Sequence, residues 1–298
     1  MLCNWQKQLQ SIQEPLYLRN IAVLKKYGNS GYQLTQMNVL RNKDANCENY
    51  TEKGTVNTEK LQNNIVRSRS LVREYGLCNP WEFFVTLTFN AQKMNRYDLN
   101  IIKKSLTQWL RDYRKKTGAK VRYLLIPEQH KDGAWHLHGF IMGLPLTELT
   151  AFQAGEHLPD YIRNKLEKGE QVYNWDAFAH KFGYVTVEPI RDRERAVNYI
   201  MKYITKDLAY AVTKLGAHLF YASQKLNKAQ EVKRGTLVVD LPVDFENEYC
   251  KKTWFDAQEY NVNDLCSCIK SRHDKKEELN NALETYHHGL FARAAYAR

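Results

Sequence analysis

The chain has 298 residues, of which 43% are hydrophobic and 26% charged, as expected for one large folded domain or two small ones. It contains no apolar run near the roughly 20 residues that a membrane-spanning helix needs, and no basic N-terminal flank followed by an apolar stretch, so we expect neither a membrane span nor a secretory signal. The formal net charge of +11 comes from residues 1–225, because residues 226–298 carry 11 Lys and Arg against 12 Asp and Glu, and it favours a polyanionic partner.

The N-terminal part of the chain is polar and offers little to a core. Residues 1–75 are rich in Asn and Gln, with a helical pattern over 61–75, and 41–60 has almost nothing to bury, which predicts a loop. A folded core follows. Residues 81–89 (WEFFVTLTF) are aromatic and β-branched, which predicts a buried strand. Residues 97–114 carry apolar side chains at helical spacing.

The remaining elements alternate between strands and helices. Their patterns predict strands over 120–128, 135–142 and 183–190, short helices around loops over 146–181, and one helix over 193–212. Weaker patterns follow, namely a strand over 217–222, a short hairpin over 232–242 and a terminal helix over 273–297. This order predicts an α+β fold with a mostly antiparallel sheet.

Two histidines and a glutamate in neighbouring predicted strands form a candidate metal site. Alternate residues of a strand point the same way, so His136 and His138 share a face. A three-residue turn at Lys131-Asp132-Gly133, with glycine in the left-handed position, would pair Glu128 with His136 and place the carboxylate beside the imidazoles. A two-residue Asp-Gly turn would instead set Glu128 opposite Leu137 and spoil the site.

Two imidazoles and one carboxylate suit Mn²⁺, Mg²⁺, Zn²⁺ or Fe²⁺ and leave coordination positions open. The alternative is that both histidines only make hydrogen bonds in a half-buried strand. His130 is a further candidate ligand, but its strand parity opposes that of Glu128, so we leave it out of the predicted site.

The predicted helix over 193–212 has two distinct faces. At 100° per residue its apolar side chains gather on one side, and the opposite side collects Tyr199, Lys202, Tyr203 and Lys206. The usual role of a tyrosine pair four residues apart is packing, but here the apolar face already supplies the packing surface. Two phenols beside two ammonium groups therefore form a plausible reactive surface.

Tyrosine and a divalent ion together suit phosphodiester chemistry. A phenol oxygen can attack the phosphorus of DNA, leaving a 3′-hydroxyl and a 5′-phosphotyrosine, while a metal ion and a lysine stabilise the developing charge. The covalent link conserves the bond energy, so no nucleotide is needed. The chain contains no GxxxxGK[ST] phosphate-binding loop, and unwinding of a duplex would then require a separate helicase.

Three segments, in this order, resemble the three motifs of the HUH endonucleases, and more narrowly the two-tyrosine initiators of rolling-circle replication in phages, plasmids and satellites. They are FFVTLTF (83–89), EQHKDGAWHLHGF (128–140) and YIMKYITK (199–206). LFYASQKLNK (219–228) is also similar to the segment after the tyrosine helix in initiators of the filamentous-phage type. The resemblance covers about residues 80–230.

The resemblance implies a central five-stranded antiparallel sheet with flanking helices and with the His-x-His strand in the middle. It implies ligation of Mg²⁺ or Mn²⁺ by Glu128, His136 and His138, and nucleophiles at Tyr199 and Tyr203 with Lys202 or Lys206 assisting. Thr86 and Thr88 belong to the first motif and are expected to be scaffold.

By the same resemblance, one tyrosine opens the origin and the other cleaves after a round, without an indication of which acts first. We expect a nicking and strand-transfer enzyme of the bacterial cytoplasm that acts on single-stranded origin DNA beside a host helicase. The expected division is an N-terminal helical and loop extension (1–75), the endonuclease domain (76–230) and a C-terminal extension (231–298).

Three other functions stay open at this point. A two-tyrosine transposase of the same superfamily would share the motifs, although the chain lacks the Cys-rich N-terminal zinc module usual there. A non-catalytic origin-binding protein would need neither the metal site nor the tyrosines. A 2-His-1-carboxylate oxygenase could use the same ligands but has no need of the Lys/Tyr helix.

Overall fold

The protein is described from a computed structural model, and the described residues are 21–37, 58–155, 157–247 and 250–271. The chain divides into two compact units, one formed by Met1–Tyr50 together with Ala229–Arg298 and the other by Thr51–Lys228. The division expected after residues 75 and 230 concerns the extent of the functional domain and stays a prediction. Of the helices in the described ranges, none combines the length and the apolar character needed to cross a membrane.

The strands, in chain order, are β1 (Ile21–Lys26), β2 (Tyr32–Met37), β3 (Phe83–Thr88), β4 (Arg122–Gln129), β5 (Trp135–Met142), β6 (Leu149–Ala151), β7 (Tyr173–Trp175), β8 (Val185–Pro189), β9 (Tyr221–Ala222), β10 (Gln230–Leu237), β11 (Phe245–Glu246), β12 (Cys250–Phe255) and β13 (Ile269–Lys270). The α-helices are α1 (Thr58–Cys78), α2 (Leu99–Thr117), α3 (Asp160–Glu167), α4 (Asp176–Lys181), α5 (Arg193–Met201), α6 (Lys206–Lys214) and α7 (Val262–Ser267). A 3₁₀ turn covers Leu146–Glu148.

The unit Thr51–Lys228 is built on an antiparallel sheet in the order β6-β7-β8-β3-β5-β4-β9. The predicted α+β class, with a central antiparallel sheet and flanking helices, is confirmed. The sheet has seven strands in the described residues instead of the expected five, because the three-residue strands β6 and β7 extend one edge. The strand that carries both histidines, β5, lies between β3 and β4.

Strand β3 alternates between buried and half-buried side chains. Phe83, Val85 and Leu87 face the core, and Thr86 and Thr88 lie on the other face of the sheet. The strand forms because its aromatic and β-branched residues suit a pleated, half-buried surface.

Helix α2 confirms the helix predicted over 97–114. It begins after Asp98, whose carboxylate accepts hydrogen bonds from the backbone N–H groups of Asn100 and Ile101, and it ends at Gly118 in the left-handed conformation (φ 71°). Its apolar stripe is buried, as the spacing predicts, and consists of Leu99, Ile102, Leu106, Leu110 and Tyr113.

The prediction of one helix over 193–212 is wrong. Helix α5 ends at Met201, and helix α6 begins at Lys206 after a four-residue turn. Thr205 causes the restart, because its hydroxyl accepts a hydrogen bond from the backbone N–H of Leu208 and so caps the second helix.

The unit formed by the chain ends contains a second antiparallel sheet, in the order β11-β12-β2-β1-β10-β13. One face of it packs on Leu265 of α7, and the buried residues of this core are Ala22, Leu24, Tyr32, Leu34, Leu237, Phe255, Leu265 and Ile269. The sequence did not predict β1 and β2.

The hairpin predicted over 232–242 is also wrong, because β10 pairs with β1 and β13 instead of folding back on itself. Gly235 does not mark a turn. A Cβ atom there would lie 2.0 Å from the carbonyl oxygen of Lys270, so the glycine permits the close approach of β13. The predicted terminal helix over 273–297 lies outside the described residues, as does the predicted loop over 41–60 except for Thr58–Lys60, which begin α1.

Candidate active site

The turn between β4 and β5 has three residues, as the site hypothesis requires. The backbone N–H of His130 donates to the carbonyl of Ala134 at 2.9 Å, and Gly133 adopts the left-handed conformation (φ 84°). The register therefore pairs Glu128 with His136. This confirms the predicted turn and the predicted pairing of the carboxylate strand with the histidine strand.

Two threonines of β3 hold the two histidines of β5. Thr86 lies opposite His138 and Thr88 opposite His136. The Oγ1 atoms lie 3.1 Å and 3.0 Å from the respective Nδ1 atoms. A hydroxyl can both donate and accept, so either imidazole tautomer is satisfied, and both Nε2 atoms are directed away from β3. The threonines thus orient the rings, a role that the sequence analysis described only as scaffold.

Glu128 and His138 meet directly. The Nε2–H of His138 donates to Oε2 of Glu128 at 2.6 Å, and this hydrogen bond is the main cause that holds the pKa of the carboxyl below its ordinary value. Burial lowers the pKa of His136 to about 4, with the neighbouring His130 and His138 adding to the effect. A carboxylate and a neutral imidazole at neutral pH are the forms that bind metal ions.

His130 also belongs to this cluster, which the sequence analysis did not predict. Its ring stacks on His136 with centroids 3.7 Å apart, and its Nε2 lies 3.8 Å from Oε2 of Glu128. Strand parity misplaced it, because residue 130 closes the turn and its side chain no longer follows the alternation of β4.

The predicted nucleophiles lie against this cluster. The ring of Tyr203 stacks on His138 with centroids 4.5 Å apart and planes 1° from parallel. The hydroxyl of Tyr203 donates to the hydroxyl of Tyr199 at 2.9 Å, and the ring of Tyr199 packs edge-on against Phe84. Burial, and secondly the bond to Tyr199, raise the pKa of Tyr203 well above the ordinary value of a phenol. Tyr199 is 46% exposed and open to a substrate.

Tyr203 takes this position because it does not belong to a regular helix. It lies in the turn between α5 and α6, where the carbonyl of Ile204 accepts a hydrogen bond of 3.1 Å from Nε of Arg69 on α1. The turn redirects the chain, so the face predicted for a continuous helix is only partly formed. Lys202 keeps its place, with Nζ 5.6 Å from the ring centre of Tyr199. Lys206 is the first residue of α6 and is not among the residues that line the cleft described next.

An open cleft of about 1330 Å³ connects the histidines and the tyrosines. Its walls carry aromatic rings and cations suited to a nucleic acid strand, namely Tyr161, Tyr184, Lys165, Arg191, Arg195 and Lys202. Lys165 forms an ion pair with Glu188. The other side of the tyrosine pair borders a smaller cavity of about 450 Å³.

The donor set fits a divalent cation in its chemistry. The two Nδ1 atoms are occupied by threonines, which leaves the Nε2 atoms and the Glu128 carboxylate as ligands. The rings of His136 and His138 lie 6.5 Å apart, and in the described part of the chain no group of three His, Cys, Asp or Glu side chains has the spacing of a metal site.

Comparison with known proteins gives one match. Residues 82–208 match the family model of the replication-associated protein of the ORF2 type, a segment that contains all three motifs and every predicted site residue. No curated protein and no solved structure matches the chain. The match covers less than half of the chain and supports a family of replication initiators.

Proposed function

We propose that the chain is a site-specific endonuclease and strand transferase for single-stranded DNA, which starts and ends rolling-circle replication through a 5′-phosphotyrosine. One observation carries the proposal: the hydrogen-bonded pair Tyr199 and Tyr203 stacks on the histidine cluster at an open cleft. The match to a replication-associated family supports the same role.

The reaction is a transesterification. A tyrosine Oη forms a bond to the scissile phosphorus and loses its proton, and the bond from phosphorus to the 3′ oxygen breaks, so that this oxygen leaves as a 3′-hydroxyl after taking up a proton. In the reverse step a 3′-hydroxyl attacks the phosphotyrosine and reseals the DNA. No bond energy is lost, which makes strand exchange possible without a nucleotide.

Tyr199 is suited to attack first. It is exposed in the cleft, it accepts the hydrogen bond from Tyr203, and the ammonium group of Lys202 lies beside its ring. A donor and a cation near the oxygen stabilise the negative charge that develops there. We assign this cationic role to Lys202 and not to Lys206, which lies outside the cleft lining.

The metal part of the proposal concerns Glu128, His136 and His138, which would hold Mg²⁺ or Mn²⁺. When bound, the ion supplies Lewis-acid stabilisation of the scissile phosphate. Thr86 and Thr88 orient the imidazoles for this task.

Two tyrosines allow two successive cleavages. After the first has opened the origin, the second can cleave the regenerated origin while the first still carries the DNA end, and exchange of the strands releases a circle. The proposed setting is the bacterial cytoplasm, with single-stranded origin DNA as substrate and a separate host helicase as partner.

The direct test is formation of a covalent adduct with a labelled single-stranded origin oligonucleotide in Mn²⁺. We expect a denaturation-resistant adduct that Tyr199→Phe/Tyr203→Phe abolishes. Tyr210→Phe is the matched control, because Tyr210 is also 46% exposed and has the Nζ of Lys214 4.3 Å from its ring centre, but it lies outside the cleft. An adduct that persists in the double variant refutes the tyrosine assignment, and DNA binding without any adduct supports the non-catalytic alternative.

The metal assignment has its own test. EDTA and Glu128→Gln are each expected to reduce adduct formation, and Mn²⁺ is expected to restore it only in the unsubstituted chain. Activity that survives EDTA refutes the metal assignment and leaves the nucleophiles untouched.

A further inference from the structure

A second groove lies on the unit Thr51–Lys228, away from the cleft. It has a volume of about 700 Å³ and runs between α2 and the edge strand β9. It opens on the opposite face of the sheet, because Tyr123 of β4 lines it, and residues an odd number apart, such as Tyr123 and Glu128, point to opposite faces. The segment over 219–228, to which the proposed catalysis gives no role, supplies one wall of the groove through Phe220 and its four successors.

The groove is strongly basic. Among the described residues five cations and no carboxylate line it, and the cations are Lys103, Arg111, Arg114, Lys120 and Arg122. Two of the guanidinium groups are fixed in place, since Arg114 donates to the carbonyl of Val121 at 2.8 Å and Arg122 to that of Lys225 at 3.4 Å. Cations held in this way lose little freedom when an anion binds.

Aromatic rings alternate with these cations. The guanidinium of Arg114 lies 5.9 Å from the ring centre of Tyr123, and Nζ of Lys103 lies 5.7 Å from that of Tyr221. Phe220 adds a third ring. Burial raises the pKa of Tyr221 to about 12, so its hydroxyl stays protonated and carries no opposing charge. Basic grooves interleaved with aromatic rings are suited to a single nucleic acid strand, whose phosphates meet the cations while its bases stack.

We propose that this groove binds single-stranded DNA at a site separate from the catalytic cleft. A single strand fits better than a duplex, because the rings line a groove and the unpaired bases of a single strand are free to stack on them. The choice of DNA among polyanions rests on the proposed function. The groove would then hold a part of the substrate strand on the face of the sheet away from the tyrosines.

The test compares two charge-matched triple variants by fluorescence anisotropy with a labelled oligothymidine. Lys103→Gln/Arg111→Gln/Lys120→Gln removes three cations of the groove. Lys104→Gln/Lys115→Gln/Lys116→Gln removes three exposed cations of the same helix that do not line it. Both variants lose the same net charge, so general electrostatic attraction falls equally.

We expect the groove variant to bind at least about tenfold more weakly than the control variant, and the slope of log affinity against log salt to fall by about 2, since each lost phosphate contact on a single strand removes about 0.7. Equal affinities and slopes in the two variants overturn the proposal. So does a loss that affects only a duplex probe, or a groove variant that binds as tightly as the unsubstituted chain.

A second measurement uses the unsubstituted chain and does not depend on the folding of a variant. Photocrosslinking with an oligonucleotide that contains 5-iododeoxyuridine is expected to label peptides with Tyr123, Phe220 or Tyr221, because excited halogenated bases react with rings on which they stack. Crosslinks confined to peptides of the cleft overturn the proposal.

The two proposals fail separately. A groove-dependent affinity in a chain that forms no adduct supports the groove and refutes the proposed catalysis. An adduct formed equally well by both triple variants, with equal affinities for oligothymidine, refutes the groove and supports the catalysis.

Discussion

The imidazole of His138 and the phenol of Tyr203 lie face to face, with centroids 4.5 Å apart and planes 1° from parallel. One ring belongs to a central strand and the other to the turn between two helices, so this contact joins the histidine cluster to the tyrosine pair. Any displacement of the turn would separate the proposed nucleophiles from the proposed metal ligands.

The stack itself is expected to stabilise the fold. Tyr203→Phe keeps the ring and Tyr203→Leu removes it, and an aromatic pair contributes about 0.5–1.5 kcal/mol beyond its buried area. We therefore expect the Leu variant to have a free energy of unfolding about 1 kcal/mol below that of the Phe variant in urea denaturation. The same two substitutions at the exposed Tyr210 are the control and should differ by less. Equal differences at both sites would show that the stack contributes nothing.

The threonines of β3 are expected to control metal affinity. Thr86→Val and Thr88→Val keep the shape of the side chain but remove the oxygen that orients each imidazole. Loss of such an outer partner typically costs about 10–100-fold in affinity, which calorimetric titration with Mn²⁺ can measure. Thr186→Val is the control, because Thr186 pairs with Thr86 from the neighbouring strand and bonds neither histidine. An unchanged affinity in both β3 variants would contradict the orienting role.

The stability of the metal-free chain should depend on the ionisation of His136. Folding lowers the pKa of this imidazole from 6.5 to about 4, so the unfolded chain binds more protons between these values. The stability present above pH 6.5 is therefore lost progressively as the pH falls towards 4. In EDTA we expect the free energy of unfolding to fall more between pH 7 and pH 5 for the unsubstituted chain than for His136→Gln. The exposed His180→Gln should behave like the unsubstituted chain, and a parallel loss in all three would refute the assignment.

The local patterns of β3, α2, β4, β5 and β8 were enough to predict these elements and the register of Glu128 with His136, because periodicity and turn chemistry act within a few residues. The pairing of β1 with β10 could not be predicted, since it joins the two ends of the chain. The break at residues 202–205 was missed for a different reason: apolar periodicity continues through it, and the capping role of Thr205 outweighs that pattern. His130 was missed because strand parity ends where the turn begins.

The turn at Gly133 gives the sharpest test of the site geometry. Its φ of 84° is unfavourable for a residue with a Cβ, although space is available, since the nearest atom, Cδ1 of Tyr97, would lie 3.7 Å away. Gly133→Ala should therefore lower the free energy of unfolding by about 1 kcal/mol through backbone strain alone, and Gly133→Asn by less, because Asn tolerates this conformation.

Gly118→Ala is the matched control for this turn, with φ 71°, open space around the Cβ and a position at the end of α2. Both alanine variants should lose similar stability in urea denaturation. Only Gly133→Ala should also weaken Mn²⁺ binding and slow adduct formation, because relief of the strain at residue 133 shifts Glu128 against His136 whereas relief at residue 118 leaves the hairpin unchanged. If both variants keep full metal affinity, or lose it equally, the three-residue turn is not what holds the carboxylate at the site.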